Sequence, residues 1–336
     1  MRRRALGNGG IEVSAIGMGC MGFAGVYGPV DEGEAVRSVH RALELGMNFF
    51  DTADVYGNGS SEKLLARSLK GRRDHAVIAT KFGNIDHLGD QPVADAPKGR
   101  WETNGRPEYA RAACEASLAR LRTDVIDLYY LHRVDPDTPI EDTVGAMADL
   151  VRAGKVRAIG LSEAGPDTIR RAHAVHPLAA LQTEYSLWTR DAEGATLKLC
   201  RELGITFVAY SPLGRGFLTG DVTDGSKLSA QDWRHHQPRF APDNLERNGR
   251  LLEALRSMAQ ARATSPAVLA LSWAMARHDH VVPIAGTSRV AHVETNAAAV
   301  GLHLGEDELA RLEAAFSAKS VIGDRYPEIQ MRRLGL

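Results

Sequence analysis

Cysteine is scarce in this chain, with three residues among 336: Cys20, Cys114 and Cys200. They lie far apart and form no Cys-x-x-Cys pair, so the sequence predicts neither a disulfide framework nor a metal site. Sparse, scattered cysteine is typical of proteins from reducing compartments, and we therefore expect a cytoplasmic protein.

Long apolar runs and blocks of like charge are missing as well. No stretch approaches the roughly 20 apolar residues of a membrane-spanning helix, and the segment after Arg2–Arg4 lacks the apolar core of a secretion signal. Lys and Arg number 41 against 42 Asp and Glu, for a net charge of −1. This balance predicts no nucleic acid and no membrane as partner. The oligomeric state stays open.

What the chain does contain is an alternation of short apolar strands and helices. A Gly-rich hairpin signal at 6–11 precedes eight predicted strands, each followed by a helix, at 15–18, 47–50, 76–80, 126–131, 156–161, 179–181, 205–209 and 281–284. Eight such units in about 300 residues match a closed barrel better than an open sheet. We predict an α/β protein: one domain over residues 1–336, a single (β/α)8 TIM barrel with an N-terminal β-hairpin and extra C-terminal helices.

The predicted strands end on residue types that suit chemistry. In such a barrel, the C-terminal strand ends face one another across one mouth. The residues found there are an acid, a base, an imidazole, two hydrogen-bonding side chains and a phenol, with a second phenol on the first of these loops: Asp51, Lys81, His132, Ser162, Gln182, Tyr210 and Tyr56. The sequence thus predicts a candidate active site at the mouth.

Proton transfer to a developing alkoxide is the chemistry that this set suits. A free phenol has a pKa near 10, roughly, and a neighbouring ammonium lowers it. Lys81 can supply that charge to Tyr56, Asp51 can hold Lys81, and His132 can donate to a carbonyl oxygen. Since no side chain delivers hydride, carbonyl reduction at this site implies a nicotinamide cofactor.

Each of these residues also has a structural interpretation. Asp51 can cap a helix, with Tyr56 simply a loop residue. Lys81 can form a structural ion pair with Asp51, and His132 can be a strand-end histidine or contact Asp135. The four together favour the catalytic interpretation.

Motifs along nearly the whole chain resemble the aldo-keto reductase superfamily, and most closely its bacterial and plant branch related to the potassium-channel β-subunits. They are Asp51-Thr52-Ala53 with Tyr56-Gly57, Thr80-Lys81, Leu131-His132, Gly160-Leu161-Ser162, Gln182-x-Glu184-Tyr185-Ser186, Ala209-Tyr210-Ser211-Pro212-Leu213-Gly214, and Gly286-Thr287-Ser288-Arg289 through Asn296. The resemblance implies a TIM barrel that binds NADP(H) across its mouth.

The resemblance also implies residue roles. Tyr56 would be the general acid/base, with Asp51, Lys81 and His132 completing a tetrad. The implied cofactor-binding residues are Ser162 and Gln182 at the nicotinamide carboxamide, Tyr210 stacked on the nicotinamide ring, Ser211, Leu213 and Arg215 at the pyrophosphate, Thr287, Ser288 and Arg289 at the 2′-phosphate, and His292 and Asn296 near the adenine. The resemblance also implies cofactor contacts for Asp51, Pro212, Gly214, Gly216 and Gly286.

Two positions depart from the family pattern. Many members have Asn after the serine of the carboxamide motif, where this chain has Glu163. A carboxylate accepts hydrogen bonds but cannot donate to the carboxamide oxygen. The chain also lacks a lysine near Gly286, so recognition of the 2′-phosphate depends on Arg289.

Two other patterns are misleading. The segment 17–22 fits G-x-G-x-x-G, but no helix opens at its glycines, as a dinucleotide-binding turn requires. We interpret it as the first barrel loop, with close approach of cofactor or substrate at Gly19, Cys20 and Met21. His235-His236 has no third ligand beside it and is expected to be a solvated loop.

The sequence therefore predicts an NADPH-dependent reductase of aldehydes or ketones with a small carbonyl compound as its partner. Substrate walls are expected from loops 23–30, 84–105 and 214–242, with Trp101, Trp188 and Trp233 as either wall or packing residues. The alternative is an NADP(H)-sensing regulatory protein on the same barrel, with slow or vestigial chemistry. A hydrolase is disfavoured, since neither a nucleophile nor a metal cluster is found at the mouth.

Overall fold

The computed structural model describes residues 1–85, 103–229 and 232–336. An antiparallel hairpin of β1 (Arg3–Leu6) and β2 (Ile11–Ser14) precedes a closed barrel of parallel strands. The eight barrel strands in the described part of the chain are β3 (Gly17–Gly19), β4 (Phe49–Asp51), β5 (Val77–Phe82), β6 (Ile126–Leu131), β7 (Val156–Ser162), β8 (Ala180–Glu184), β9 (Thr206–Tyr210) and β10 (Val281–Gly286). Each pairs with the next along the chain, and β10 pairs with β3. The predicted (β/α)8 barrel with its hairpin is confirmed.

Helices surround the barrel: α1 (Glu32–Glu44), α2 (Ser60–Ser68), α3 (Pro107–Leu121), α4 (Ile140–Arg152), α5 (Pro166–Val175), α6 (Ala195–Leu203), α7 (Pro242–Gly249), α8 (Leu252–Ala261), α9 (Pro266–Ala276), α10 (Val290–Ala298), α11 (Glu306–Ala315) and α12 (Glu328–Met331). Their starts follow local rules. Asp31 caps α1 by accepting from the Glu34 amide at 2.9 Å, and α3, α5, α7 and α9 begin with proline, whose missing N–H costs nothing in a first turn.

Two helical segments differ from what the apolar pattern of the sequence predicts. That pattern predicts a single helix over 244–261, but the structure has two helices, α7 and α8, which separate after Gly249, because glycine is the weakest helix former after proline. The pattern also predicts a helix from Ala192, but α6 begins at Ala195 because Gly194 ahead of it has a φ of 91°, which no α-helical residue adopts.

The N-terminal hairpin fills the bottom of the barrel. Leu6, Ile11 and Val13 pack in one buried cluster with inward-facing residues of the strands, among them Phe49 and Tyr130. The hairpin turn lies so close to the start of β8 that a Cβ on Gly7 would come within 2.6 Å of the Ala179 Cα. The interior of the barrel is therefore a packed core whose polar end is the opposite, C-terminal mouth.

The sequence 17–22 lies in β3 and a short 3-10 turn at Met21–Ala24, and α1 begins only at Glu32. No α-helix begins between residues 17 and 31, as the sequence indicated. Across the ranges 1–85, 103–229 and 232–336, no helix has the length and apolar character to cross a membrane.

Candidate active site

Lys81 is the centre of the predicted site and is fully buried. Its side chain leaves the penultimate residue of β5, and its Nζ donates to Asp51 Oδ1 at 2.5 Å and to the Thr52 carbonyl at 2.8 Å. The Tyr56 hydroxyl lies 3.5 Å from the same Nζ. One ammonium therefore joins the strand-end carboxylate to the loop phenol.

The structure brings His132 to the same place. Its ring meets the Tyr56 ring edge-on, with centroids 5.8 Å apart and an interplanar angle of 83°. His132 is buried, and its Nδ1 has no hydrogen-bond partner in the described part of the chain. Buried polar atoms are seldom left unpaired unless a ligand, water or function requires it. The four predicted catalytic side chains thus form one cluster.

Burial dominates the electrostatics of this cluster. It raises the pKa of Tyr56, and the opposing effect of Lys81 is smaller, so the lowered phenol pKa that the sequence suggested is wrong for this state. Burial acts to lower the pKa of Lys81, but Asp51 and Tyr56 outweigh it and the pKa is raised. Burial, then Arg133 and Lys81, hold the pKa of His132 well below its usual range. At neutral pH the site contains a protonated phenol, an ammonium and a neutral imidazole.

Asp51 is held from two sides. Its Oδ2 accepts from Gln182 Nε2 at 2.7 Å, while its Oδ1 accepts from Lys81. Burial raises the pKa of Asp51 despite these partners. Gln182, a predicted carboxamide ligand, therefore supports the carboxylate that orients the lysine.

Ser162 ends β7 and contacts Arg133, a residue that no sequence motif marks. Arg133, directly after His132, donates from its Nη1 to Ser162 Oγ at 3.1 Å and to the His132 carbonyl at 2.7 Å. Its position one residue beyond a predicted catalytic strand end was the signal that could have identified it.

Glu163 does not face the mouth as a free side chain. Residues 317–336 form a C-terminal segment that returns to the mouth, and its Arg325 binds Glu163 through two contacts at 3.1 and 3.3 Å. Burial acts to raise the pKa of Glu163, but Arg325 and Arg133 lower it overall. The amide of Gly335 donates to the Glu163 carbonyl at 2.8 Å. The departure from the family's asparagine is thus accompanied by a buried ion pair.

The C-terminal segment also contacts two residues assigned to the cofactor. The Tyr210 hydroxyl lies 2.8 Å from Glu163 Oε1 and 2.9 Å from the Tyr326 hydroxyl. Arg215 binds Glu184 at 2.7 Å and donates to the Arg325 carbonyl at 2.7 Å, with its guanidinium 4.4 Å from the Tyr326 ring centroid. Tyr326 and Arg325 could not be identified from the sequence, since no motif marks them.

The remaining implied cofactor residues lie at or after the C-terminal ends of three strands, β3, β9 and β10. Ser211, Pro212, Leu213, Gly214 and Gly216 follow β9, where Ser211 and Arg215 adopt positive φ values of 48° and 57°. At the end of β10, Gly286 pairs with Gly19 of β3, next to Cys20 and Met21. Beyond it, Thr287 and Asn296 are buried, Ser288 is half-buried, and Arg289 and His292 are exposed around the start of α10.

The tryptophans expected at the substrate walls differ in environment. Trp188 is buried and stacks on Phe217 with ring centroids 3.9 Å apart, so it is a packing residue. Trp233 is half-buried, 6.4 Å from the Tyr27 ring centroid, and joins loops 23–30 and 214–242. Trp101 lies outside the described residues.

His235 and His236 are exposed, and no cluster of three metal-ligating side chains occurs in the described ranges.

The fold and the site define a class of protein: a (β/α)8 barrel with a buried cluster of Tyr, Lys, Asp and His side chains at its mouth. More particularly, the chain belongs to the aldo/keto reductase family, whose model matches residues 15–316. It is therefore an oxidoreductase of that type.

Individual relatives agree with this assignment. The chain is 44% identical over 328 residues to a probable aldo-keto reductase 1 from Glycine max, covering 96% of this chain and 90% of the relative. A solved glycerol dehydrogenase from Gluconobacter oxydans is similar, with a TM-score of 0.82 and 29% identity over 96% of this chain and 97% of that chain. A thermostable aldo-keto reductase solved with the inhibitor epalrestat gives a TM-score of 0.71 and 27% identity, covering 94% of this chain and 100% of that one.

Proposed function

We propose that this protein reduces an aldehyde or ketone to the alcohol with NADPH, reversibly, and that Tyr56 is the general acid/base. The observation that carries the proposal is the buried Lys81 ammonium, which contacts both the Asp51 carboxylate and the Tyr56 hydroxyl. A lysine that served only to neutralise the charge of Asp51 would not need to contact the Tyr56 hydroxyl as well. The nicotinamide of the bound cofactor would supply the hydride.

The chain's own groups provide the proton chemistry. The raised pKa of Tyr56 keeps its proton in place at neutral pH. Lys81 stabilises the phenolate that remains when Tyr56 gives that proton to the alkoxide oxygen. The neutral His132, edge-on to Tyr56, can donate a hydrogen bond to the same oxygen. Asp51 and Gln182 keep Lys81 in position.

The residues at the end of β10 fit a dinucleotide phosphate. Arg289 is exposed and has no carboxylate within ion-pair distance in the described ranges, so its guanidinium is available to a phosphate. Gly19 and Gly286 lie side by side, and a Cβ on Gly19 would meet the Gly286 Cα at 3.3 Å. Ser288 adds a hydroxyl donor. These features support NADPH as the cofactor, with Arg289 at the 2′-phosphate.

Replacement of Tyr56 tests the proposal. We expect Tyr56→Phe to lower kcat with an aldehyde panel by roughly 100-fold or more, the size of a lost general acid, while NADPH binding, measured by fluorescence titration, is retained. Tyr185→Phe is the matched control, because it removes another buried hydroxyl, which bonds Glu193 at 3.0 Å. Full activity of Tyr56→Phe would refute the assignment. Titration with NADH alongside NADPH tests the cofactor preference.

A regulatory role is the second candidate. Tyr210 and Arg215, both implied in cofactor binding, contact Tyr326 and Arg325 of the C-terminal segment. Binding of NADP(H) at Tyr210 and Arg215 would therefore change the contacts of that segment, as expected of a nucleotide sensor. Tight NADPH binding without turnover of any aldehyde in the panel would favour this role over the reductase.

A further inference from the structure

Arg133 differs from the buried arginines near the mouth because only one of its three guanidinium nitrogens makes a hydrogen bond in the described ranges. Arg215 and Arg325 bind Glu184 and Glu163. Arg239 is spent on oxygens of Trp188, Thr189 and Gly323. In the described ranges, Arg133 has no carboxylate within 4.0 Å, and only its Nη1 makes hydrogen bonds.

The position of Arg133 is set by the catalytic strand end. The residue follows His132 directly, and its half-buried guanidinium lies in the electrostatic field of Tyr56 on one side and of Tyr210 and Glu163 on the other. Glu163 is not its ion-pair partner, since the nearest arginine to that carboxylate in the described ranges is Arg325, at 3.1 Å, and Arg133 lies beyond 4.0 Å. A cation that is never deprotonated in proteins thus lies next to the reacting groups.

The hydrogen bonds of Arg133 leave one edge of the guanidinium available. Nη1 donates to Ser162 Oγ and to the His132 carbonyl, which fixes the plane of the group. Nε and Nη2 make no hydrogen bond in the part of the chain described by the structure. Two adjacent N–H donors on a fixed guanidinium match the two oxygens of a carboxylate.

We propose that Arg133 is a specificity-determining residue that binds the carboxylate of the substrate, so that the preferred substrates are aldehyde or keto acids. The inference depends on the proposed reductase function, because it assigns a substrate class to that same site. It also explains why a half-buried guanidinium is kept beside His132, where an apolar side chain would suit a neutral substrate better.

A pair of aldehydes that differ only in charge tests this inference. 4-Carboxybenzaldehyde and methyl 4-formylbenzoate have the same ring and the same reacting carbonyl. We expect wild-type kcat/KM to favour the acid by roughly 10- to 100-fold, the range that a charge-assisted hydrogen-bonded pair supports. Arg133→Met is expected to remove this preference, chiefly through the KM for the acid, and Arg133→Lys to keep part of it.

Arg171→Met is the matched control, since Arg171 is an exposed arginine of α5 paired with Glu141. Equal use of acid and ester by the wild type would overturn the inference, and this comparison does not depend on any variant folding. An unchanged preference in Arg133→Met would also overturn it. So would an equal loss on both aldehydes together with weaker NADPH binding, because Arg133 would then serve the cofactor through Ser162.

Failure of the proposed function would be recognised separately. If the wild type reduced no aldehyde of the panel, the reductase assignment would fall, and calorimetric titration of the NADP⁺-loaded protein with the same two compounds would still decide the inference. Tighter binding of the acid that Arg133→Met abolishes would support the carboxylate site. Equal binding of the two compounds would overturn it.

Discussion

Replacing Lys81 with methionine tests whether the buried ion pair of Lys81 and Asp51 contributes more to the free energy of unfolding than a surface ion pair does. Methionine keeps most of the side-chain volume but removes the charge that Asp51 faces in a fully buried position. Removing one partner of a buried pair costs about 3–5 kcal/mol. The matched control Lys155→Met removes a half-buried lysine whose ion pair with Glu115 lies at the surface, and such pairs contribute about 0–1 kcal/mol.

The loss in Lys81→Met depends on pH through Asp51. Burial raises the pKa of Asp51 even with Lys81 beside it, and loss of the ammonium raises it further. The folded variant then binds a proton that the unfolded chain, with an aspartate pKa near 3.9, roughly, has released. The stability of the variant relative to wild type therefore falls as pH rises above about 4, until the folded-state pKa is passed.

Urea unfolding followed by circular dichroism, at about pH 5 and about pH 8, measures both effects. We expect the deficit of Lys81→Met to be larger at the higher pH, with Lys155→Met close to wild type at both. The double variant Asp51→Asn/Lys81→Met should recover part of the loss, since neither charge is then left unpaired. Equal midpoints for Lys81→Met and Lys155→Met would refute the interpretation that Lys81 compensates the buried charge of Asp51.

Three further predictions concern other parts of the mouth and barrel. Because the pKa of His132 is depressed, its imidazole stays neutral in NMR spectra at about pH 6, and the protein loses stability as pH falls below about 6.5; the loss should be smaller in His132→Gln. Glu163→Gln removes the charge that Arg325 binds and should lower the free energy of unfolding by about 1.5–3 kcal/mol. Because the Gly335 amide donates to the Glu163 carbonyl, faster hydrogen exchange of that amide would show that the C-terminal segment is loosened, whereas unchanged exchange would contradict this prediction. Gly160→Ala should destabilise the protein by about 1–3 kcal/mol, since the new Cβ would lie 2.6 Å from the Ala180 carbonyl oxygen. Gly145→Ala in α4, where a Cβ would meet no atom within 4 Å, should stabilise it by about 0.5–1 kcal/mol. Thermal unfolding of the two variants measures both effects.

The barrel was predictable from the sequence because each unit carries a local signal. The run Met47–Phe50 is apolar and short, as a strand buried on both faces must be, and Asp51 ends it. The same logic placed Lys81 and His132 at neighbouring strand ends. Parallel pairing then brings such residues to one mouth, so their proximity follows from chain order alone.

The pairing of charged side chains at the mouth could not be predicted from the sequence. The contacts of Glu163 with Arg325 and of Arg215 with Glu184 join residues far apart in the chain, through a C-terminal segment with no repeating pattern. The direction of the Tyr56 pKa shift was also inaccessible. It depends on how strongly burial outweighs Lys81, which is a property of packing and not of spacing.

The hairpin at the base of the barrel has a consequence for the timing of the proposed reaction. Leu6, Ile11 and Val13 fill the end opposite the mouth, so water has no polar route to Tyr56 from that side. A proton that Tyr56 gives to the alkoxide must therefore be replaced from the mouth, where the alcohol itself leaves. Reprotonation of Tyr56 and release of the alcohol therefore both take place through the mouth. A solvent isotope effect on turnover should change when product release is made slower.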